Sequence, residues 1–316
     1  MTYDLFPKIS ISDDEIQAIL TDHHFTVTSI EFFQQNNRVS DFIINSNFIL
    51  RFSQSSLAEE PKLNRVKRIK HVPGIHISNE LILCNSKIYY LLLDYIPGES
   101  LFNDVHQMSD LQIKSVGKEI ADFLDILHQN EDSVYDIGYY INVIPRFAGT
   151  WKEGHEQYVQ LLFDQTMKLS LDSDEKKTVL SAFNTLNHLV SSLVYQNGAR
   201  LLHNDLHPKN IIINNGHLKG VIDWECSQYG ESDFELAHLV NWNLFLMNSN
   251  EQFEKLLNAV ISAYQDKNKV PFLEQRMRFY LLEHELQQII WNPKDKNDRL
   301  SRIDYLLRVS SLLKVS

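Results

Sequence analysis

The chain has 316 residues, 43% hydrophobic and 22% charged, with only 10 Gly and 8 Pro. That composition supplies a core and excludes disordered, collagen-like and linker-like chains. Lys+Arg number 30 and Asp+Glu 41, a net charge of −11 that argues against nucleic acid as a partner and would attract a cationic ligand.

The length suggests about two domains. Cys84 and Cys226 form neither a disulfide framework nor a CxxC metal pair, so a reduced, cytoplasmic protein is expected. Residues 1–15 lack the basic and apolar regions of a signal peptide. No apolar run approaches the ~18 residues of a membrane span, so no membrane partner is expected.

Ser12-x-x-Glu15 is a capping-box pattern and predicts a helix to about residue 20. Short β-branched and aromatic segments at 26–33, 41–44 and 48–52 predict antiparallel strands. Pro61 suits a first helical turn and opens a predicted helix to about residue 70. Strands follow at 80–84 and 87–94, then the punctuated stretch Tyr95-Ile96-Pro97-Gly98-Glu99. Helical spacing of apolar residues marks 110–129, 151–169 and 174–195, the last opened by Asp172-x-x-Glu175. A β-rich island interrupts at 201–224, where Ile211-Ile212-Ile213 and Val221-Ile222 flank the hairpin signal Asn214-Asn215-Gly216. Four more helices are predicted around 233–248, 251–266, 272–291 and 298–314. The expected layout is a β-rich N-terminal lobe over 1–96, a hinge at about 93–98, and a helical C-terminal lobe over 97–316 that carries the hairpin 201–225.

The chemistry concentrates in His203-Asn204-Asp205-Leu206-His207-Pro208-Lys209-Asn210 and in Val221-Ile222-Asp223-Trp224-Glu225. Asp205 and Asn210 bracket a turn that Pro208 enforces. The hairpin returns Asp223 toward the start of the first strand, where Asn210 lies. Hard oxygen ligands so gathered suit a Mg²⁺ carried by nucleotide phosphates. Asp205 is then left to take the proton of an attacking hydroxyl.

These segments resemble the catalytic and metal loops of protein kinases. They are more similar still to the H-G-D-L-H-P-x-N and I-D-W-[ED] motifs of the aminoglycoside phosphotransferase and choline kinase superfamily. Leu92-Leu93-Asp94-Tyr95-Ile96-Pro97-Gly98-Glu99 resembles its hinge. Gly230-Glu231-Ser232-Asp233-Phe234-Glu235-Leu236-Ala237 resembles its G-D-P-x-x-D-L-A helix start, with Glu for Asp twice and Ser for Pro. The resemblance covers roughly residues 25–245. It implies a two-lobed, protein-kinase-like α+β fold and transfer of the γ-phosphate of ATP or GTP to a hydroxyl of a small molecule. It implies Asp205 as base or orienter with His203 beside it, Mg²⁺ on Asn210 and Asp223, and nucleotide base contacts at Leu93, Asp94, Tyr95 and Ile96. Arg51 stands where kinases carry the phosphate-binding lysine, with Glu60, or else Glu59, as its acidic partner. The glycine-rich loop is replaced by the glycine-free Gln34-Gln35-Asn36-Asn37-Arg38-Val39-Ser40.

Blander readings stand beside these. His203 and His207 have the spacing of helical metal ligands, but Pro208 and the adjoining strand argue against a helix; His203 reads as a buried brace of the loop. Trp242, Phe245, Phe279, Tyr280 and Trp291 read mostly as packing. Asp233, Glu235, Glu283 and Glu285 are candidates for an ammonium-binding acceptor pocket, against a plain solvated helix face. The favoured acceptor is an aminoglycoside-type antibiotic, with hygromycin-type phosphotransferases the most similar members. Choline, ethanolamine, a macrolide or a thiosugar are alternatives, as is a nucleotide-binding module without turnover. A monomer or homodimer is expected. A protein kinase fits less well, because no activation segment lies between Asp223 and Asp233.

Overall fold

A computed structural model describes residues 11–22, 24–35, 39–53, 80–84, 88–139, 143–194, 197–247 and 250–313. The chain divides into two compact units, Met1–Gly98 with Lys219–Glu225, and Glu99–Leu218 with Cys226–Ser316.

The first unit opens with helix α1 (Asp13–Asp22), started by the expected box: the Ser12 hydroxyl accepts from the Glu15 N–H, and the Glu15 carboxylate accepts from the Ser12 N–H. Strands β1 (Ile30–Gln35), β2 (Val39–Ile44), β3 (Phe48–Ser53), β4 (Glu80–Cys84) and β5 (Ile88–Asp94) form one antiparallel sheet, ordered β1-β2-β3-β5-β4. Period-two alternation sends Phe42, Ile44, Leu50, Phe52 and Leu92 to one face, where they pack with Ile16 and Leu20 of α1. Asp41 and Arg51 alternate onto the other face. The first strand begins four residues later than predicted. The Asn45 amide holds residues 26–29 outside the ladder, accepting from the Thr28 and Ser29 N–H groups and donating to the Thr26 carbonyl. The helix predicted over 61–70 and Glu59 and Glu60 before it, like residues 36–38 of the glycine-free loop, lie outside the described residues.

The second unit is mainly helical. A two-residue strand β6 (Glu99–Ser100) and a short helix α2 (Leu101–Asp104) lead to α3 (Asp110–Leu127). Strands β7 (Glu131–Asp132), β8 (Tyr135–Ile137) and β9 (Ile144–Phe147) precede α4 (Trp151–Thr166) and α5 (Ser173–Leu189). Then come β10 (Ala199–Leu202), the hairpin strands β11 (Ile211–Asn214) and β12 (His217–Val221), and β13 (Gln228–Gly230). Helices α6 (Leu236–Phe245), α7 (Glu251–Asn268), α8 (Leu273–Trp291) and α9 (Lys296–Arg308) complete the chain. Reciprocal capping boxes start α3 (Ser109/Gln112), α4 (Thr150/Glu153) and α5 (Asp172/Glu175). The predicted hairpin turn forms, with Asn215 at φ 52° and Gly216 at φ 73°, the left-handed pair of a type I′ turn. Gly117 sits inside α3 because a Cβ there would lie 2.6 Å from the Ala259 Cβ of α7. Among the described residues no helix is long and apolar enough to cross a membrane.

Candidate active site

The loop after β10 is held from beneath by Glu235. Its carboxyl group is fully buried and accepts the backbone N–H groups of His203 (2.5 Å) and Asn204 (3.1 Å). Asn204 occupies the left-handed region at φ 60° and donates its side-chain amide to the Cys226 carbonyl at 3.2 Å. This accounts for Asn standing where the resembled motif has Gly: Asn is among the few other residues that adopt this conformation readily. Asn204→Gly is therefore expected to keep the melting midpoint within a few degrees. Asn204→Val, β-branched at positive φ, should cost about 1–3 kcal/mol in urea unfolding.

His203 is fully buried and its Nδ1 accepts the Asp205 backbone N–H at 3.2 Å. It braces the loop and has no surface to offer a substrate, so its expected place beside Asp205 becomes a structural one. The Asp205 side chain is 18% exposed and lies between two imidazoles. His207 Nε2 is 3.7 Å from Oδ2, and His238 Nδ1 is 3.8 Å from Oδ1. Burial holds both imidazoles below the ordinary histidine range, His207 at about 4 with help from the Lys209 cation. The carboxylate therefore faces neutral rings at physiological pH. Pro208–Asn210 form a single 3₁₀ turn, and the Asn210 amide nitrogen donates to the Asp205 carbonyl at 3.0 Å. That bond fixes the side chain and leaves its oxygen as the atom suited to a metal. Beside the turn, His207 stacks on Trp242 with centroids 4.9 Å apart, and Lys209 lies over the rings of Phe102 and Trp242 at 5.0 and 5.5 Å.

In the first unit Arg51 pairs with Asp41. Nε and Nη2 donate to the two carboxylate oxygens at 2.9 and 3.0 Å, and Nη1 lies 3.8 Å from Asp223 Oδ1. Asp223 is held at φ 67° and is 38% exposed. Leu93 and Asp94 end β5 opposite Ile49 and Phe48, and the Tyr95 N–H donates to the Asn47 carbonyl at 2.8 Å. Ile96 follows, half-buried. Asn210 and Asp223 offer hard oxygens, and among the described residues no three His, Cys, Asp or Glu side chains gather into a metal cage. Each of these two side chains, taken by itself, carries the kind of hard oxygen that suits Mg²⁺.

The acids expected at an acceptor pocket are interior. Asp233 is 1% exposed and takes both Nε and Nη2 of buried Arg276 at 2.6 Å. Glu235 carries the loop as described. Glu283 is fully buried and 2.8 Å from His155 Nδ1. Glu285, likewise buried, accepts from Arg299 Nη1 at 3.0 Å. Glu283 and Glu285 are interior because α8 is buried on almost every side rather than along one stripe, and Asp233 and Glu235 are interior on the buried turn before α6. Phe279 and Tyr280 pack in the core as read, whereas Trp291 is 46% exposed.

Burial raises the Glu235 carboxyl to about 8 despite its two N–H donors. Between pH 4.5 and 8 the folded chain then keeps a proton that the unfolded chain has lost, so this group makes stability fall as pH rises through that window. The buried histidines with depressed values act oppositely, but only below their unfolded value near 6.5. Stability should therefore decline from pH 6.5 to 8, by up to about 1 kcal/mol per pH unit. Denaturant midpoints measured across that range test this; a flat or rising profile contradicts it.

A β-rich unit bearing a paired arginine, and a helical unit bearing an Asp–Asn loop at a strand end, define the kinase-like α+β class. The solved structure of a thermostable mutant of aminoglycoside phosphotransferase APH(4)-Ia, in ternary complex with AMP-PNP and hygromycin B, is similar with a TM-score of 0.67 and 16% identity, covering 93% of this chain and 97% of that one. ADP-bound APH(2'')-Ib gives 0.65 and 18%, covering 94% and 97%. The streptomycin–ATP complex of APH(2'')-IIa gives 0.66 and 16%, covering 98% and 100%. At such identities the likeness establishes the fold, which is the expected one. No curated protein sequence matches. Residues 35–280 match the phosphotransferase enzyme family (APH), and the chain belongs to that family. It is a small-molecule kinase.

Proposed function

We propose that this enzyme transfers the γ-phosphate of ATP or GTP to a hydroxyl of an aminoglycoside-type antibiotic. The geometry of Asp205 carries the reading: a part-exposed carboxylate on a loop held by Glu235, His203 and Asn210, set between two uncharged imidazoles. Asp205 accepts the proton of the attacking hydroxyl and aims it in line with the phosphate. Asn210 and Asp223 hold Mg²⁺, which neutralises charge on the phosphate oxygens when bound. Arg51 contacts the phosphates, and the backbone of residues 93–96 receives the nucleotide base. Trp242, Phe102 and His207 form an aromatic surface beside Asp205 on which the acceptor rests.

The net charge of −11 favours a cationic acceptor, and two of the three structural relatives named above are complexes with hygromycin B and streptomycin. Thermal shift with Mg²⁺ and ATP or GTP, across aminoglycosides, macrolides, choline and thiosugars, tests the acceptor. A nucleotide shift with an additional aminoglycoside shift supports the proposal. A shift with another class replaces the acceptor and keeps the chemistry. The glycine-free segment 34–40 should lower nucleotide affinity without changing the chemistry, since a chain without glycine approaches phosphate less closely.

A further inference from the structure

We propose that Asp41 is a positioning residue for the nucleotide phosphates, gripping one edge of the Arg51 guanidinium so that its other end is turned toward Asp223. The proposal rests on the reading of Arg51 as the phosphate cation. Asp41 and Arg51 stand directly opposite each other in the β2–β3 ladder, so the pairing is set by strand register and not by the position of any following helix. Both carboxylate oxygens are engaged, at 2.9 Å from Nε and 3.0 Å from Nη2.

Asp41 is 1% exposed and Arg51 24%. A carboxylate so buried is costly to leave unpaired, so the pair is locked rather than optional. A guanidinium is a flat, rigid fork with five N–H groups. Holding Nε and Nη2 fixes the plane and therefore the direction of the three remaining N–H groups. Nη1, on that far side, is the nitrogen 3.8 Å from Asp223 Oδ1. A lysine could not do both, because a single ammonium has no second edge to anchor. The same geometry explains why an arginine serves here, since its anchor is a cross-strand acid that reaches it side-on.

The test is calorimetric titration of AMP-PNP and of GMP-PNP, each with Mg²⁺, into the wild type, Asp41→Ala, Asp41→Asn, Arg51→Ala and the double variant Asp41→Ala/Arg51→Ala. Asp41→Asn keeps the side chain's shape in case Asp41→Ala loosens the sheet, and melting curves verify the fold of each. Loss of the anchor should weaken nucleotide binding at least about tenfold, the value of one well-aimed charged contact. If Asp41 acts only through Arg51, the double variant should bind within about twofold of Arg51→Ala. Asp41 variants that bind like wild type, while Arg51→Ala is weakened, overturn the proposal and leave the phosphate site standing. Unchanged binding in Arg51→Ala overturns the reading of Arg51 and the proposal with it.

Discussion

Replacing Asp205 by Asn is expected to lower kcat by about 10²–10⁴-fold, the usual worth of a positioned general base, with nucleotide affinity nearly unchanged. The substitution keeps the shape and the place between the imidazoles of His207 and His238 but removes the lone acceptor able to take a proton. The loop itself should survive, because the bonds that hold it are made by other groups. Glu235 takes the His203 and Asn204 N–H groups, and Asn210 binds the Asp205 main-chain carbonyl. A parallel loss of nucleotide binding would show instead that Asp205 organises the phosphate site. Steady-state kinetics of phosphoryl transfer, with nucleotide titration on the same samples, separates the two.

The largest stability effect is expected at Arg276. Its guanidinium is fully buried, holds both oxygens of Asp233 and donates Nη1 to the Ser192 carbonyl at 3.1 Å. Arg276→Ala strands the Asp233 carboxylate, itself 1% exposed, at a cost of about 3–5 kcal/mol. Removing both charges with Arg276→Met and Asp233→Asn should recover a large part of that loss, since the pair was already carrying its desolvation penalty. Urea unfolding of the two variants measures the difference. A single variant within about 1 kcal/mol of the wild type would contradict the account.

What the sequence disclosed and what it hid follow from the range of each interaction. The loop 203–210 is legible because its chemistry lies within eight residues and Pro208 forbids a helix. The hairpin is legible because Asn215 and Gly216 suit positive φ. The capping boxes at Ser12 and Asp172 act over three residues and are equally plain. The Asp41–Arg51 pair was hidden because it depends on strand register, and an irregularity between Phe32 and Gln34 on the next strand blurs the count. The bracing role of Glu235 is hidden for a related reason: its partners His203 and Asn204 lie more than thirty residues upstream. Its resemblance to a helix-start motif said nothing of which way the carboxylate faced.

The acids of α8 read as a possible polar face because spacing alone cannot separate a solvated stripe from a buried polar one. Burial of Arg276, Glu283, His284, Glu285 and Gln287 together is a tertiary fact. The strands β7, β8 and β13, of two or three residues, are too short to show alternation.

The most direct test is incubation of the purified enzyme with Mg²⁺, ATP or GTP, and hygromycin B or another aminoglycoside, followed by mass spectrometry of the acceptor. The account predicts a single phosphate ester on the acceptor, formed only with Mg²⁺ and absent with Asp205→Asn. A protein that binds neither nucleotide and phosphorylates no acceptor would contradict it.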